Sequence, residues 1–161
     1  MPTKTRPHIA PLDCDHYYIS KVLLESNLGY DPEKSTELPL SSLKIDSNVK
    51  RCESHKGSVL WHLTLSVSQK VSKAKNAPYN FCIELVGDFR VHPNFPEDKA
   101  QRLIEVNGSS ILYGVAREML RTLSCGGPFG GMLLPTMSFA SHNDFLKPSK
   151  EDVSVPVPAL K

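Results

Sequence analysis

The stretch NGSSILYGVAREMLRTLSCGGPFGGMLLPTMSF, Asn107 to Phe139, decides how the rest of the 161-residue chain is read. Its first half has one periodicity. Ile111, Leu112, Val115, Ala116, Met119, Leu120 and Leu123 step by one, three, one and three, which keeps a single apolar stripe in phase with a helical turn. Arg117, Glu118, Arg121 and Thr122 form the wet side. Asn107, Ser109 and Ser110 offer N-cap oxygens, and Gly126 with Pro128 supplies the stop. The spacing predicts a helix of about sixteen residues, roughly 24 Å long. The second half obeys no such rule. Gly126, Gly127, Gly130, Gly131 and Pro135 forbid a regular helix, yet Phe129, Met132, Leu133, Leu134, Met137 and Phe139 are too apolar for a solvent loop. Two readings stay open for it: a loop tucked in to complete the core, or an adaptable apolar surface that receives a partner.

Upstream of this stretch the pattern has period two. Val59, Trp61, Leu63, Leu65, Val67 and Val71 alternate with His62, Thr64, Ser66, Ser68 and Lys70. Tyr79, Phe81, Ile83, Leu85, Gly87, Phe89 and Val91 repeat the alternation against Asn80, Cys82, Glu84, Val86, Asp88 and Arg90. Leu43, Ile45 and Val49 mark a strand ending near Glu53, and the β-branched and aromatic run HYYISKVLLES, from His16, marks a first strand. The His55-Lys56-Gly57 turn and the polar segment from Lys73 to Pro78 are short enough to pair their flanking strands antiparallel. PEDKAQRLIEV opens a short helix with Leu103, Ile104 and Val106 on its apolar side, which breaks at Asn107-Gly108. Strands first and helices last define an α+β fold, a four-stranded antiparallel meander with a C-terminal helical layer on one face. We divide the chain into a loose leader over residues 1–15, a single domain over 16–140 and a proline-bearing tail over 141–161.

Composition excludes several classes of function. A net charge of +2, without a Lys/Arg run interleaved with aromatics, argues against nucleic-acid binding. No apolar run approaches the ~20 residues that span a bilayer. MPTKTRPHIAPLDCDHYY lacks the apolar core of a secretory signal, so Cys14, Cys52, Cys82 and Cys125 read as reduced thiols of a cytoplasmic protein. His8, His16, His55, His62, His92 and His142 form no HExxH and no zinc spacing with cysteine. Cys82 with Glu84 has no adjacent base, and Cys125 lacks a helix N-terminus to lower its pKa. GGPFGG follows a helix and precedes no lysine, the wrong context for a phosphate loop. The residues therefore point to no enzyme, no cofactor and no metal site.

The order of these elements, together with ILYGVAREMLRTLSCGGPFGGMLLPTMSF, resembles the SecB family of protein-export chaperones. Ala116-Arg117-Glu118 and Leu134-Pro135 with Phe139 are the most specific matches, and the likeness covers about residues 16 to 140. The resemblance implies a homotetramer, a dimer of dimers with the long helices between two sheets, and a holdase that keeps unfolded or secretory precursor polypeptides in apolar grooves for export. It implies client contacts at Tyr113, Phe129, Met132, Leu133, Leu134, Met137 and Phe139, and an oligomer interface at Ile111, Val115, Met119 and Leu123. The family docks the motor SecA through acidic residues on its first and fourth strands. Here those strands offer only Glu25, Glu84 and Asp88, and no residue is assigned to SecA. The family also ends in a second amphipathic helix, for which SHNDFLKPSKEDVSVPVPALK is too short and too proline-interrupted. Three further readings stand beside the general holdase: a dedicated chaperone of one client such as an antitoxin, an oligomeric adaptor for a folded partner, and a small-molecule site in the same cleft.

Overall fold

The computed structural model describes residues 10–34, 40–53, 59–70 and 76–141. Val71, the turn at His55–Gly57, most of the leader and the tail from His142 lie outside the described residues. Four strands, β1 (Leu12–Ser26), β2 (Leu43–Glu53), β3 (Val59–Gln69) and β4 (Tyr79–Val91), form one antiparallel sheet. They are followed by α1 (Glu97–Leu103), a π-helical turn (Ile104–Gly108) and α2 (Ser109–Cys125). β1 starts at Leu12, so the end of the expected leader is strand.

The α+β class and the helical layer on one sheet face are as the sequence predicts. The strand order is not a plain meander. It runs β1-β4-β3-β2, so only β2 to β4 succeed one another as neighbours. The long connection after β1 is what allows this, because it lets that strand lie beside the last one in a Greek-key arrangement. Polar groups staple the connection in place. Asn27 donates from its backbone N–H to Pro78 and from Nδ2 to Ala77, both at 2.8 Å. Asp31 and Asn76 exchange two further bonds, at 2.8 and 2.6 Å.

The core lies between the inward rows of β3 and β4 and the inner side of α2. Leu63, Leu65, Val67, Phe81, Ile83, Leu85 and Phe89 meet Leu112, Ala116 and Leu120. Each large side chain buried this way contributes roughly 1.5–3 kcal/mol. Gly87 lets the helix come this close, since a Cβ there would stand 2.7 Å from the Phe89 ring and 3.2 Å from Leu112. Gly108 does the same over Leu63, at 2.9 Å.

The helix break expected at Asn107-Gly108 is absent. The backbone continues through the π turn, and none of the predicted caps is used there. The buried positions explain the wider turn. Ala100, Ile104, Gly108, Leu112, Ala116, Leu120 and Ser124 recur at every fourth residue. A straight helix with 3.6 residues per turn would rotate such a row steadily off the sheet. A π turn takes back part of that rotation. Ser110 bridges the irregularity by donating Oγ–H to the Val106 carbonyl at 2.7 Å.

Candidate functional site

Two apolar surfaces flank α2. The first lies between its outer side and the edge strand β1, a groove of about 580 Å3 lined by Tyr17, Ile111, Val115, Met119 and Leu123. The register explains its floor. Tyr17, Ile19 and Val22 pair with Gly87, Leu85 and Ile83, so they share the core-facing side of the sheet. Because α2 packs over β3 and β4, these edge-strand side chains are left exposed. All four residues expected at an interface, Ile111, Val115, Met119 and Leu123, lie on this outer side. Ile111 and Leu123 are exposed, while Val115 and Met119 are half-buried. A Cβ added at Gly114, between them, would meet nothing within 4 Å. Glu118 sits on the same side, where Arg121 grips it with two bonds of 2.5 and 3.0 Å and holds its carboxyl below the usual range.

The second surface is the glycine–proline segment after α2, which runs back over the sheet. Tyr79 fastens its start. Its hydroxyl lies 3.2 Å from the Ser124 carbonyl and 3.0 Å from that of Gly130, and it accepts the Phe129 N–H at 3.2 Å. Ser124 Oγ accepts the Met132 N–H at 2.6 Å. Further along, Arg117 Nε donates to the Leu134 carbonyl and the Tyr113 hydroxyl to that of Pro135, each at 2.7 Å. Burial pushes the Tyr113 hydroxyl pKa up, against the pull of Arg117.

This packing divides the residues expected to contact a client. Leu134 is 0% exposed, and Met132 and Tyr113 are also buried in the core cluster. As folded they belong to the core and not to an open groove wall, because the backbone latches turn them toward the sheet. Leu133 at 52% and Met137 at 42% face out. Phe129 and Phe139 are intermediate, edge-on to Tyr30 and Tyr79 and to Tyr113 respectively. One segment thus both completes the core, through Met132 and Leu134, and leaves Leu133 and Met137 exposed.

The exposed apolar row on β1 is a feature that sequence reasoning missed. Tyr17, Tyr18, Ile19, Val22 and Leu23 are all exposed, on both faces of the strand. Bulges between Cys14 and His16 and between Ile19 and Lys21 shift the register along it. The legible sign was YYISKVLL itself, which does not alternate and therefore cannot place its apolar residues on one side.

Elsewhere the chemistry is sparse. His62 on the outer sheet face lies 2.7 Å from Asp88, both partly buried. The four cysteines are free thiols, and burial raises the Cys14 pKa. Among the described residues no group of three or more His, Cys, Asp or Glu could hold a metal ion. No helix among them is long and apolar enough to cross a membrane.

The fold is SecB-like. The SecB-like chaperone Rv1957 of Mycobacterium tuberculosis, solved in complex with a ChAD peptide from the Rv1956 HigA1 antitoxin, superposes with a TM-score of 0.53 at 10% identity. The match covers 80% of this chain and 88% of that one. A protein of unknown function from Streptococcus agalactiae matches with a TM-score of 0.47 at 8% identity, over 77% of this chain and 96% of its own. No protein-family model matches the sequence, and no curated protein does.

Proposed function

We infer that this chain is a chaperone without enzymatic activity or cofactor that holds non-native polypeptide on apolar surfaces of an oligomer. The observation that carries the reading is the outward apolar surface on both sides of α2 in a SecB-like fold. Tyr17, Ile111 and Leu123 open on one side, and Leu133 and Met137 on the other. Exposed large apolar side chains in such continuity mark interaction surfaces. The α2–β1 groove is one assembly face, joining two copies within the dimer of dimers that the SecB-like fold suggests. The outward residues of the glycine–proline segment, with the half-buried Phe129 and Phe139, are the client face. Methionine and glycine-flanked aromatics suit many client sequences, and weak contacts repeated over several copies add up by effective concentration.

A dedicated client is favoured over general export. The chain is net positive, at +2, and the neighbour in the structural comparison was solved with an antitoxin peptide. The site of action is then the cytoplasm. The test is light scattering of several unrelated unfolded proteins, without nucleotide, on a sample whose solution mass is measured in parallel. Suppression at stoichiometric amounts by an oligomer supports a holdase, and protection of a single client supports the dedicated form. Binding of a native protein only, by a sample indifferent to unfolded chains, refutes both in favour of an adaptor.

A further inference from the structure

The segment after α2 has the makings of a strand. From Gly131 to Phe139 it runs without helix, turn or bend, and its exposure alternates at the start. Gly131 and Leu133 face out, while Met132 and Leu134 are buried. Among the described residues it joins no ladder, since the sheet holds β1 to β4. The Met132 N–H donates to Ser124 Oγ and the Leu134 carbonyl accepts from Arg117 Nε, so both turn toward α2. Successive residues of an extended chain point their main-chain groups to opposite sides. The N–H and C=O of Gly131 and Leu133 therefore point away from α2, and among the described residues they meet no hydrogen-bonding partner. At Pro135 this edge ends. Its carbonyl turns back to Tyr113, and its nitrogen carries no hydrogen.

The segment lies on the β2 flank of the helix, because α2 packs over β3 and β4 and Phe139 shares a small cleft with Ser47 and Val49. On that flank the inward Leu43, Ile45 and Val49 of β2 are only half-buried. Two residues at i and i+2 with open N–H and C=O groups are what one strand offers the next in an antiparallel pair. Each exchanges two bonds with the residue opposite. The occupant that satisfies such an edge is another extended main chain, which is how sheet edges take up peptides. The α2–β1 groove lies on the opposite flank of α2, so an assembly built there leaves this edge to a client.

We propose that Gly131 and Leu133 dock an extended client segment as an added antiparallel strand, through main-chain hydrogen bonds that any residue except proline can supply. The proposal rests on the polypeptide-binding reading and deepens it, since it names what the client must offer: unsubstituted amides at alternate positions. The probe is Lys-Val-Thr-Val-Thr-Lys-amide with an N-terminal fluorescein, titrated with the full chain and followed by anisotropy. Its valine amides lie on one edge of the extended peptide and its threonine amides on the other. Two isomers, N-methylated at both valines or at both threonines, therefore each lose one edge. The parent peptide binds saturably. One isomer binds about tenfold more weakly, the size of one to two net hydrogen bonds, and the other binds as the parent does. Hydrogen exchange at the Leu133 amide is slower in the complex than in the free protein. Leu133→Pro removes that N–H and weakens binding further than Leu133→Ala. If the proline variant does not fold, the isomers and the exchange rate decide. The proposal is overturned if no complex forms, if both isomers bind like the parent or lose equally, or if a folded Leu133→Pro binds no worse than Leu133→Ala. It is overturned equally by an unchanged Leu133 exchange rate, or by protection in the free protein that vanishes on dilution, the mark of pairing between two copies. The light-scattering assay separates the two levels. Suppressed aggregation with any of these negative results removes the strand pairing and keeps the chaperone, whereas isomer-selective binding without suppression keeps the pairing and removes the chaperone.

Discussion

Leu133 and Leu134 are chemically identical neighbours to which the packing gives opposite roles, and shortening each to alanine tests the placement of the whole glycine–proline segment. Leu134 is 0% exposed and belongs to the cluster that contains Leu112, Ala116 and Leu120, so Leu134→Ala loses the full transfer energy of its side chain and leaves a cavity. Such changes cost about 2–5 kcal/mol. With a cost near the middle of that range and a urea slope of about 1.5 kcal/mol/M, the unfolding midpoint drops by roughly 2 M. Leu133 is 52% exposed, so Leu133→Ala gives up about 1 kcal/mol or less and shifts the midpoint by roughly 0.5 M. Both titrations are run at one protomer concentration, because the proposed assembly would add its own free energy. Leu133→Ala weakens client holding in the light-scattering assay despite its near-normal stability. Midpoint shifts of equal size, or a Leu134→Ala shift below 0.5 M, would show that the segment does not lie against the sheet as described.

Three further outcomes follow from the same structure. Tyr79→Phe removes the hydroxyl that joins the Ser124 and Gly130 carbonyls to the Phe129 N–H, a loss of about 1–3 kcal/mol, and hydrogen exchange at the Phe129 amide should accelerate while the β3 amides stay protected. Val115→Asp combined with Met119→Asp puts two charges into the α2–β1 groove, and light scattering should report a lower mass with an unchanged dichroism spectrum; a full-size assembly would move the interface elsewhere. Tyr113 has its pKa raised by burial, so its neutral form is the one the fold favours: the associated stability is complete below the unfolded tyrosine value and is lost as pH rises through the folded one. Thermal unfolding from pH 8 to 11.5 should therefore fall more steeply for the natural chain than for Tyr113→Phe, and parallel curves would contradict the assignment.

The sheet was legible because its period is strict. In β3 and β4, alternation named nearly every inward side chain, and α2 was legible for the same reason at its own period. Strand order was not legible, since β1 carries apolar residues on both faces and nothing local says which edge it joins. The π turn was hidden as well. Asn107 and Gly108 have the composition of a break, while the reason to continue is the fourth-residue row that keeps Ile104, Gly108 and Leu112 on the sheet. The site was half legible. The composition of MLLPTMSF announced an apolar segment without a period, and only long-range latches from Tyr79, Tyr113 and Arg117 decide that Leu134 turns in and Leu133 turns out. Gln69 is a residue for which we have no physical account: it is buried on the core side with neither side-chain atom hydrogen-bonded.

The latches from Tyr113 and Arg117 end on main-chain oxygens of Leu134 and Pro135, not on side chains. A clasp of that kind is indifferent to which amino acids it holds, provided the strap keeps its path. Positions 133 and 137 can therefore drift in evolution, or be rewritten by design, without loosening the strap. On the proposed client face, the choice of cargo would then change by exchanging the outward letters alone, while the anchorage beneath persists.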